Sequence, residues 1–119
     1  MRLLTTCIGL FVLVAASTAS FAGEIRKGAT MEVKANSIWF HDIPKLAHWQ
    51  GLRKSGDAAA LESHQDQVLS QREAWQFINP LIVKIVGYRR GENQVDVEMK
   101  TAGRMLGTRW WLDADALTR

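Results

Sequence analysis

The hydrophobic and polar positions of this chain fall into three regimes, and the first is a continuous apolar run near the start. Arg2 precedes an apolar stretch over residues 7–16, and small residues then lead to Ala22. This order is typical of a signal peptide with its cleavage site, and the run is shorter than the roughly 20 apolar residues of a membrane span. We therefore expect residues 1–22 to be removed on export. That would leave a periplasmic or secreted domain over residues 23–119, with no stable membrane anchor.

The second regime begins with short segments of β-type sequence. Residues 30–35 alternate, which places Met31, Val33 and Ala35 on one side of a strand. Residues 37–40 are rich in β-prone side chains and continue or follow that strand. The sequence therefore predicts that the domain opens with β structure.

A helical period then replaces the alternation. Asp42 is suited to cap a helix and Pro44 to its first turn, while Leu46 and Trp49 recur at a spacing of three. Gly56 is suited to the end of that helix, because glycine adopts the left-handed conformation that terminates many helices. The pattern predicts a first helix between Asp42 and Gly56.

A second, longer helix is predicted after Asp57, which is a good capping residue. Leu61, Val68 and Trp75 recur every seven residues, a spacing of two helical turns. The residue before a proline is disfavoured in the helical conformation. We therefore expect this helix to run on until Pro80 stops it.

The third regime has a period of two and predicts antiparallel strands joined by turns. Between residues 94 and 100, valine and methionine alternate with charged residues, so one face of that strand points into a core. Strands on both sides of a helical middle make an α+β domain. The predicted strands cover residues 81–88, 94–100 and 105–112, with turns at 89–93 and 102–104 and a closing helical turn at 113–117.

The end of the chain resembles the end of bacterial SH3-like domains. Residues 107–117 read Gly-Thr-Arg-Trp-Trp-Leu-Asp-Ala-Asp-Ala-Leu, similar to the last strand and closing 3₁₀ turn of those domains. The hairpin over residues 83–99 resembles their central strand pair, and residues 31–40 stand where their first strand would. The resemblance implies a small antiparallel SH3-like barrel or sheet, with a two-helix insertion between the first and central strands.

Composition limits the kinds of function that the domain can have. Cys7 is the only cysteine and lies in the predicted leader, so we expect no disulfide in the mature domain. Five tryptophans supply large apolar surfaces for its core instead. Loss of Arg2 would leave 14 of the 15 Lys and Arg residues against 12 Asp and Glu. This weak, mixed charge argues against a nucleic-acid partner.

No motif in the sequence points to catalysis. There is no Gly-x-Ser-x-Gly elbow, no glycine-rich phosphate loop and no cysteine after the leader. We therefore expect a protein that is not an enzyme and carries no cofactor. A metal site built from His41, His48 and His64 stays open as an alternative, although their gaps of seven and sixteen residues differ from the tight pairs typical of zinc sites.

Aromatic and basic residues in the last third form the predicted ligand-binding site. Trp110 and Trp111 are adjacent, so on a strand they face opposite sides of the sheet. One of them belongs to the core. The other is either exposed, as an anchor for a peptide or glycan, or covered by the helical layer. Tyr88 and Arg109 complete the predicted site.

These patterns together predict an exported, non-catalytic SH3-like module for binding or accessory roles. Its partner would be a protein segment or a cell-envelope polymer. Two alternatives stay open: a structural subunit of a periplasmic complex, and a small metal-binding protein that uses the three histidines.

Overall fold

The computed structural model describes residues 24–119, so the predicted leader and its cleavage site lie outside the described residues. Within this range, two helices, α1 (Ile43–Ser55) and α2 (Ala58–Ser70), separate the second strand from the third. Among the same residues, no helix is long and apolar enough to cross a membrane. The strands are β1 (Thr30–Val33), β2 (Ser37–Phe40), β3 (Ala74–Phe77), β4 (Leu81–Arg89), β5 (Gln94–Met99) and β6 (Arg109–Asp113), with 3₁₀ turns at Arg90–Glu92 and Ala114–Ala116.

The strands form one antiparallel sheet in the order β1-β4-β5-β6-β2-β3. This confirms the predicted α+β class, but the predicted SH3-like barrel is wrong, because the described strands make an open sheet with β1 and β3 at its edges. The difference arises at residues 74–77, which pair with β2 instead of continuing a helix and so extend the sheet at that edge. One isolated bridge, from Val33 to Leu117, ties the C-terminal residues to β1.

The second helix is shorter than the seven-residue spacing of its apolar residues predicts. It ends at Ser70, and the backbone amide of Glu73 donates to the carbonyl of Val68 over 2.8 Å as the chain turns. Trp75 then lies opposite Trp39 in the β2–β3 pair and packs against the core on the sheet face away from the helices. Cross-strand contacts of this kind override local helical periodicity, because strand formation depends on the neighbours that a side chain meets.

The central hairpin agrees with the alternating pattern. β4 and β5 pair antiparallel, and Asn93 adopts the left-handed conformation (φ 55°) in the predicted turn between them. Val95, Val97 and Met99 are all buried, which confirms their inward orientation. The last strand is shorter than predicted and begins at Arg109. The residues before it form a loop, in which the amide of Gly107 donates to the carbonyl of Met99 and the amide of Met99 donates to the carbonyl of Thr108.

The buried residues form two clusters. One cluster includes Trp39, Val97 and Trp110 and lies on one face of the sheet. The second includes Phe40 and lies between the helices and the other face, where strands β2, β3 and β6 meet α1 and α2. The adjacent residues Trp110 and Trp111 divide between them, since Trp110 belongs to the first cluster and Trp111 packs against the second.

Both helices begin at the predicted capping residues. The carboxylate of Asp42 accepts a hydrogen bond from the backbone amide of Lys45 at 2.9 Å, and that of Asp57 accepts one from Ala60 at 3.0 Å. Gly56 ends α1 in the left-handed conformation, with φ 79°. Burial alone would raise the pKa of Asp42, but hydrogen bonds from the backbone and side chain of Lys45 lower it below its ordinary value.

Replacing Asp42 with alanine is expected to lower the free energy of unfolding by about 1 kcal/mol, the usual contribution of an N-cap. Since the folded-state pKa of Asp42 is lowered, this contribution is present above the ordinary carboxyl pKa of 3.8 and is lost as the pH falls through the lowered value. Urea denaturation at several pH values measures the difference. Asp42→Asn is the matched control because asparagine keeps a capping oxygen. Equal stability of Asp42→Ala and the wild type at neutral pH would contradict the prediction.

Candidate functional site

A groove of about 360 Å³ opens where α1 and α2 meet the β2–β3 edge of the sheet. Its apolar lining comes from two alanines, Ala35 and Ala116, and from Ile38 and Trp49, which are 6% and 8% exposed and so present only a small part of their surface. The rest of the lining is largely polar and comes from both helices, from strands β2, β3 and β6, and from the segments next to these strands. These polar residues include Lys34, Arg53, Gln65, Gln76, Asp113 and Asp115.

One side of the groove is set by a contact between the two helices. The indole Nε1 of Trp49 on α1 donates to the Oε1 of Gln65 on α2 over 2.9 Å. The guanidinium of Arg53, one helical turn further along α1, lies 4.9 Å from the centroid of the Trp49 ring. These contacts fix the Gln65 amide with its oxygen occupied and its nitrogen available.

A second amide lines the groove from the sheet. The Nε2 of Gln76 on β3 donates to the backbone carbonyl of Asn36 over 3.1 Å. Among residues 24–119, neither the Nε2 of Gln65 nor the Oε1 of Gln76 has a hydrogen-bond partner. The groove therefore offers one amide donor and one amide acceptor whose opposite ends are already held in place.

A buried polar network supports the end of the groove. Asp113 accepts hydrogen bonds from Gln50 Nε2 at 2.9 Å, from Asn93 Nδ2 at 3.1 Å and from the backbone amide of Asp115 at 2.7 Å. Gln94 Nε2 donates in turn to Gln50 Oε1 at 3.0 Å. Both oxygens of Asp113 accept hydrogen bonds from protein donors, so this carboxylate joins α1 to the sheet.

The four residues predicted as the ligand site do not share one surface. Tyr88 and Trp110 pack with the first cluster, and Trp110 is only 2% exposed, with the His41 ring stacked 4.5 Å from its own. Trp111 is half-buried against the helix-side cluster. The helical layer therefore covers Trp111, which was one of the two arrangements that the sequence left open. A binding role for these residues stays a prediction.

Arg109 is exposed, but its charge is compensated by a neighbouring strand. Its guanidinium donates to both carboxylate oxygens of Asp96, at 2.6 and 3.2 Å. The hydrogen bond with Asp96 raises the pKa of Arg109, and the opposite charge adds to the effect. A ligand anion at this position would compete with a bidentate ion pair that is already formed.

The structure brings two of the three histidines together. The rings of His48 on α1 and His64 on α2 lie 4.5 Å apart in an edge-on arrangement. His41 lies elsewhere, where its Nε2 accepts a hydrogen bond from the indole of Trp75 at 3.2 Å. In the part of the chain that the structure describes, no group of three His, Cys, Asp or Glu residues is placed to hold a metal ion.

The groove residues were missed because their polarity has an ordinary explanation in the sequence. Gln65 falls on the polar face of an amphipathic helix, and Gln76 falls in a segment that the sevenfold spacing assigns to the same helix. Only the pairing of β3 with β2 places Gln76 opposite Ile38 and beside the groove. Gln76 could have been placed beside the groove only by predicting a strand over residues 74–77.

The groove has the features of a binding site for a polar ligand. It is concave, it joins elements that are distant in sequence, and it presents a few convergent polar groups beside a small apolar surface. No protein-family model matches this chain, and no curated protein or solved structure is significantly similar to it.

Proposed function

We propose that this protein is an exported, non-catalytic binding module and that its groove takes a polar segment of a protein or of a cell-envelope polymer. The observation that carries the proposal is the pair of amides, Gln65 and Gln76, each held by one end and unpaired at the other. A ligand rich in amide or hydroxyl groups matches these two atoms, because it can replace solvent at both with an acceptor and a donor. Both proposed sources share that chemistry.

The charges of the groove favour a ligand without a strong net charge. Lys34 and Arg53 stand against Asp113 and Asp115 in its lining. The Lys34 ammonium donates to the backbone carbonyl of Asp115 at 3.0 Å, and Arg53 lies 3.5 Å from the carboxylate of Asp113. Because Arg53 is paired with a carboxylate and the lining holds a second acidic residue, Asp115, the groove is poorly suited to a polyanion such as a nucleic acid.

Titration of the ¹⁵N-labelled protein separates the two sources of ligand. Soluble peptidoglycan fragments serve as the probe in one arm, and unstructured peptides rich in asparagine, glutamine and serine serve in the other. Binding in the groove is expected to move the side-chain amide resonances of Gln65 and Gln76 in a saturable way. Failure of both probes to shift either resonance would contradict the proposal.

Loss of the two amides is expected to weaken binding about tenfold in the double variant Gln65→Ala/Gln76→Ala, since each hydrogen bond contributes about 0.5–1.5 kcal/mol. Gln76→Ala is the cleaner single change because it leaves the contact between the helices intact. Gln67→Ala is the matched control, because Gln67 is an exposed residue of α2 outside the groove. Calorimetry with the better probe measures the dissociation constants. Equal affinities for the double variant and Gln67→Ala would overturn the assignment of the groove.

A further inference from the structure

We propose that the contact between His48 and His64 makes the groove responsive to pH, so that acidification weakens its hold on a ligand. This inference rests on the proposed function, because it concerns regulation of the same groove. Two adjacent contacts join α1 and α2. One is the histidine pair, and the other is the hydrogen bond from Trp49 to Gln65.

The two contacts are formed by consecutive residues on each helix. His48 precedes Trp49 on α1, and His64 precedes Gln65 on α2. The rings of the histidines lie 4.5 Å apart, and the Trp49–Gln65 hydrogen bond measures 2.9 Å. Since Trp49 and Gln65 both line the groove, a change in helix separation at the histidines displaces part of its wall.

The geometry around His64 disfavours its charged form. Its Nε2 is buried and has no hydrogen-bond partner among the described residues. In an imidazolium both ring nitrogens carry a proton, so protonation in this arrangement leaves a buried donor unpaired beside a second titratable ring. Burial lowers the pKa of His64 below its ordinary value of 6.5, and the proximity of His48 lowers it further.

The other charges near His64 do not cancel this effect. Glu73, in the turn before β3, favours the protonated form, but it is the weakest of the three influences on the pKa of His64. Lys45 on α1 also interacts with Glu73, and its ammonium lies 3.1 Å from the carboxylate of Asp42. Glu73 therefore interacts electrostatically with both His64 on α2 and Lys45 on α1.

The direction of the pH effect follows from the lowered pKa. Separated helices leave His64 with a pKa nearer 6.5, so they bind protons more readily than the closed arrangement does. The closed arrangement is therefore fully favoured above pH 6.5 and loses its advantage as the pH falls through the lowered pKa. Ligand affinity is expected to fall over the same range.

A ligand-free NMR titration of the purified protein between pH 8 and pH 4.5 tests the mechanism. The ring protons of His64 and the indole Nε1–H of Trp49, assigned from its loss in Trp49→Phe, are expected to move together with a midpoint below 6.5. His48→Gln is expected to raise that midpoint, while the control His41→Gln leaves it unchanged because His41 lies against Trp110. A Trp49 resonance that stays constant while His64 titrates would overturn the inference.

Binding of a peptidoglycan fragment or a polar peptide, whichever the groove takes, is then compared at pH 7.5 and pH 5. We expect affinity to fall about tenfold at the lower pH, within the usual range of coupling between sites. The variant His48→Gln/His64→Gln is expected to bind equally at both values. Equal affinity of the wild type at both values also overturns the inference. A Trp49 response without binding of either probe refutes the proposed function and leaves the coupling of the histidines to the groove wall supported.

Discussion

Replacing Trp39 with alanine is expected to lower the free energy of unfolding by about 3–5 kcal/mol, the range for removal of a large buried aromatic side chain. Trp39 is completely buried, and its ring meets those of Phe77 at 4.9 Å and Trp110 at 5.9 Å in edge-to-face arrangements. Its indole also donates to the hydroxyl of Ser37 at 2.7 Å. Truncation leaves a cavity between three strands and removes two aromatic contacts together with that hydrogen bond.

Chemical denaturation followed by circular dichroism measures this loss. A domain of this size has a total stability of about 5–15 kcal/mol, so Trp39→Ala is expected to be partly unfolded at 37 °C. Trp75→Ala is the matched control, because Trp75 lies opposite Trp39 in the β2–β3 pair but is only half-buried. The prediction is contradicted if the two variants lose the same stability.

The local features of the fold could be predicted from the sequence because each depends on neighbouring residues. Asp42 and Asp57 cap helices through amides three residues away, and Gly56 ends a helix by its own conformation. The alternation that ends at Met99 reports burial along one strand, so the inward face of β5 follows from the pattern alone.

The architecture could not be predicted, because it depends on one long-range pairing. Trp75 continues a helical spacing that begins at Leu61 and Val68, yet it lies in a strand. Its partner, Trp39, lies 36 positions earlier in the chain, and no local pattern indicates that the two segments meet. Residues 74–77 form a strand and not part of a helix, and this strand is an open edge of the sheet. The barrel prediction is therefore wrong together with the helix prediction.

The candidate site was missed for a related reason. Sequence reasoning selected Trp110 and Arg109 because exposed aromatic and basic residues often bind ligands. Trp110 is buried beneath His41, and Arg109 is paired with Asp96. The proposed groove is lined by glutamines instead, and the fold decides which end of each amide is already hydrogen-bonded. That information is contained only in the tertiary contacts.

Replacing Asp113 with alanine is expected to lower the free energy of unfolding by about 2–4 kcal/mol, because Asp113 is the shared acceptor of the buried polar network. Asp113 is 7% exposed and accepts hydrogen bonds from Gln50, Asn93 and the backbone of Asp115. Removing this shared acceptor takes a partner from one buried donor, on Gln50, and from two partly buried donors, at a cost of about 1–3 kcal/mol for each that finds no other partner. Gln50 keeps a hydrogen bond to the backbone carbonyl of Asn93 at 3.0 Å, which limits the total.

Asp115→Ala is the matched control for this prediction. Its exposed carboxylate lies 3.9 Å from Arg119, and the contacts that it gives to Asp113 and Lys34 use backbone atoms that the substitution keeps. Its stability is expected to stay within about 0.5 kcal/mol of the wild type. Since the network holds α1 against the sheet, amide hydrogen exchange of α1 should also accelerate in Asp113→Ala and not in the control. Equal losses in the two variants would show that the charge near the C-terminus, and not the buried hydrogen bonds, stabilises the end of the groove.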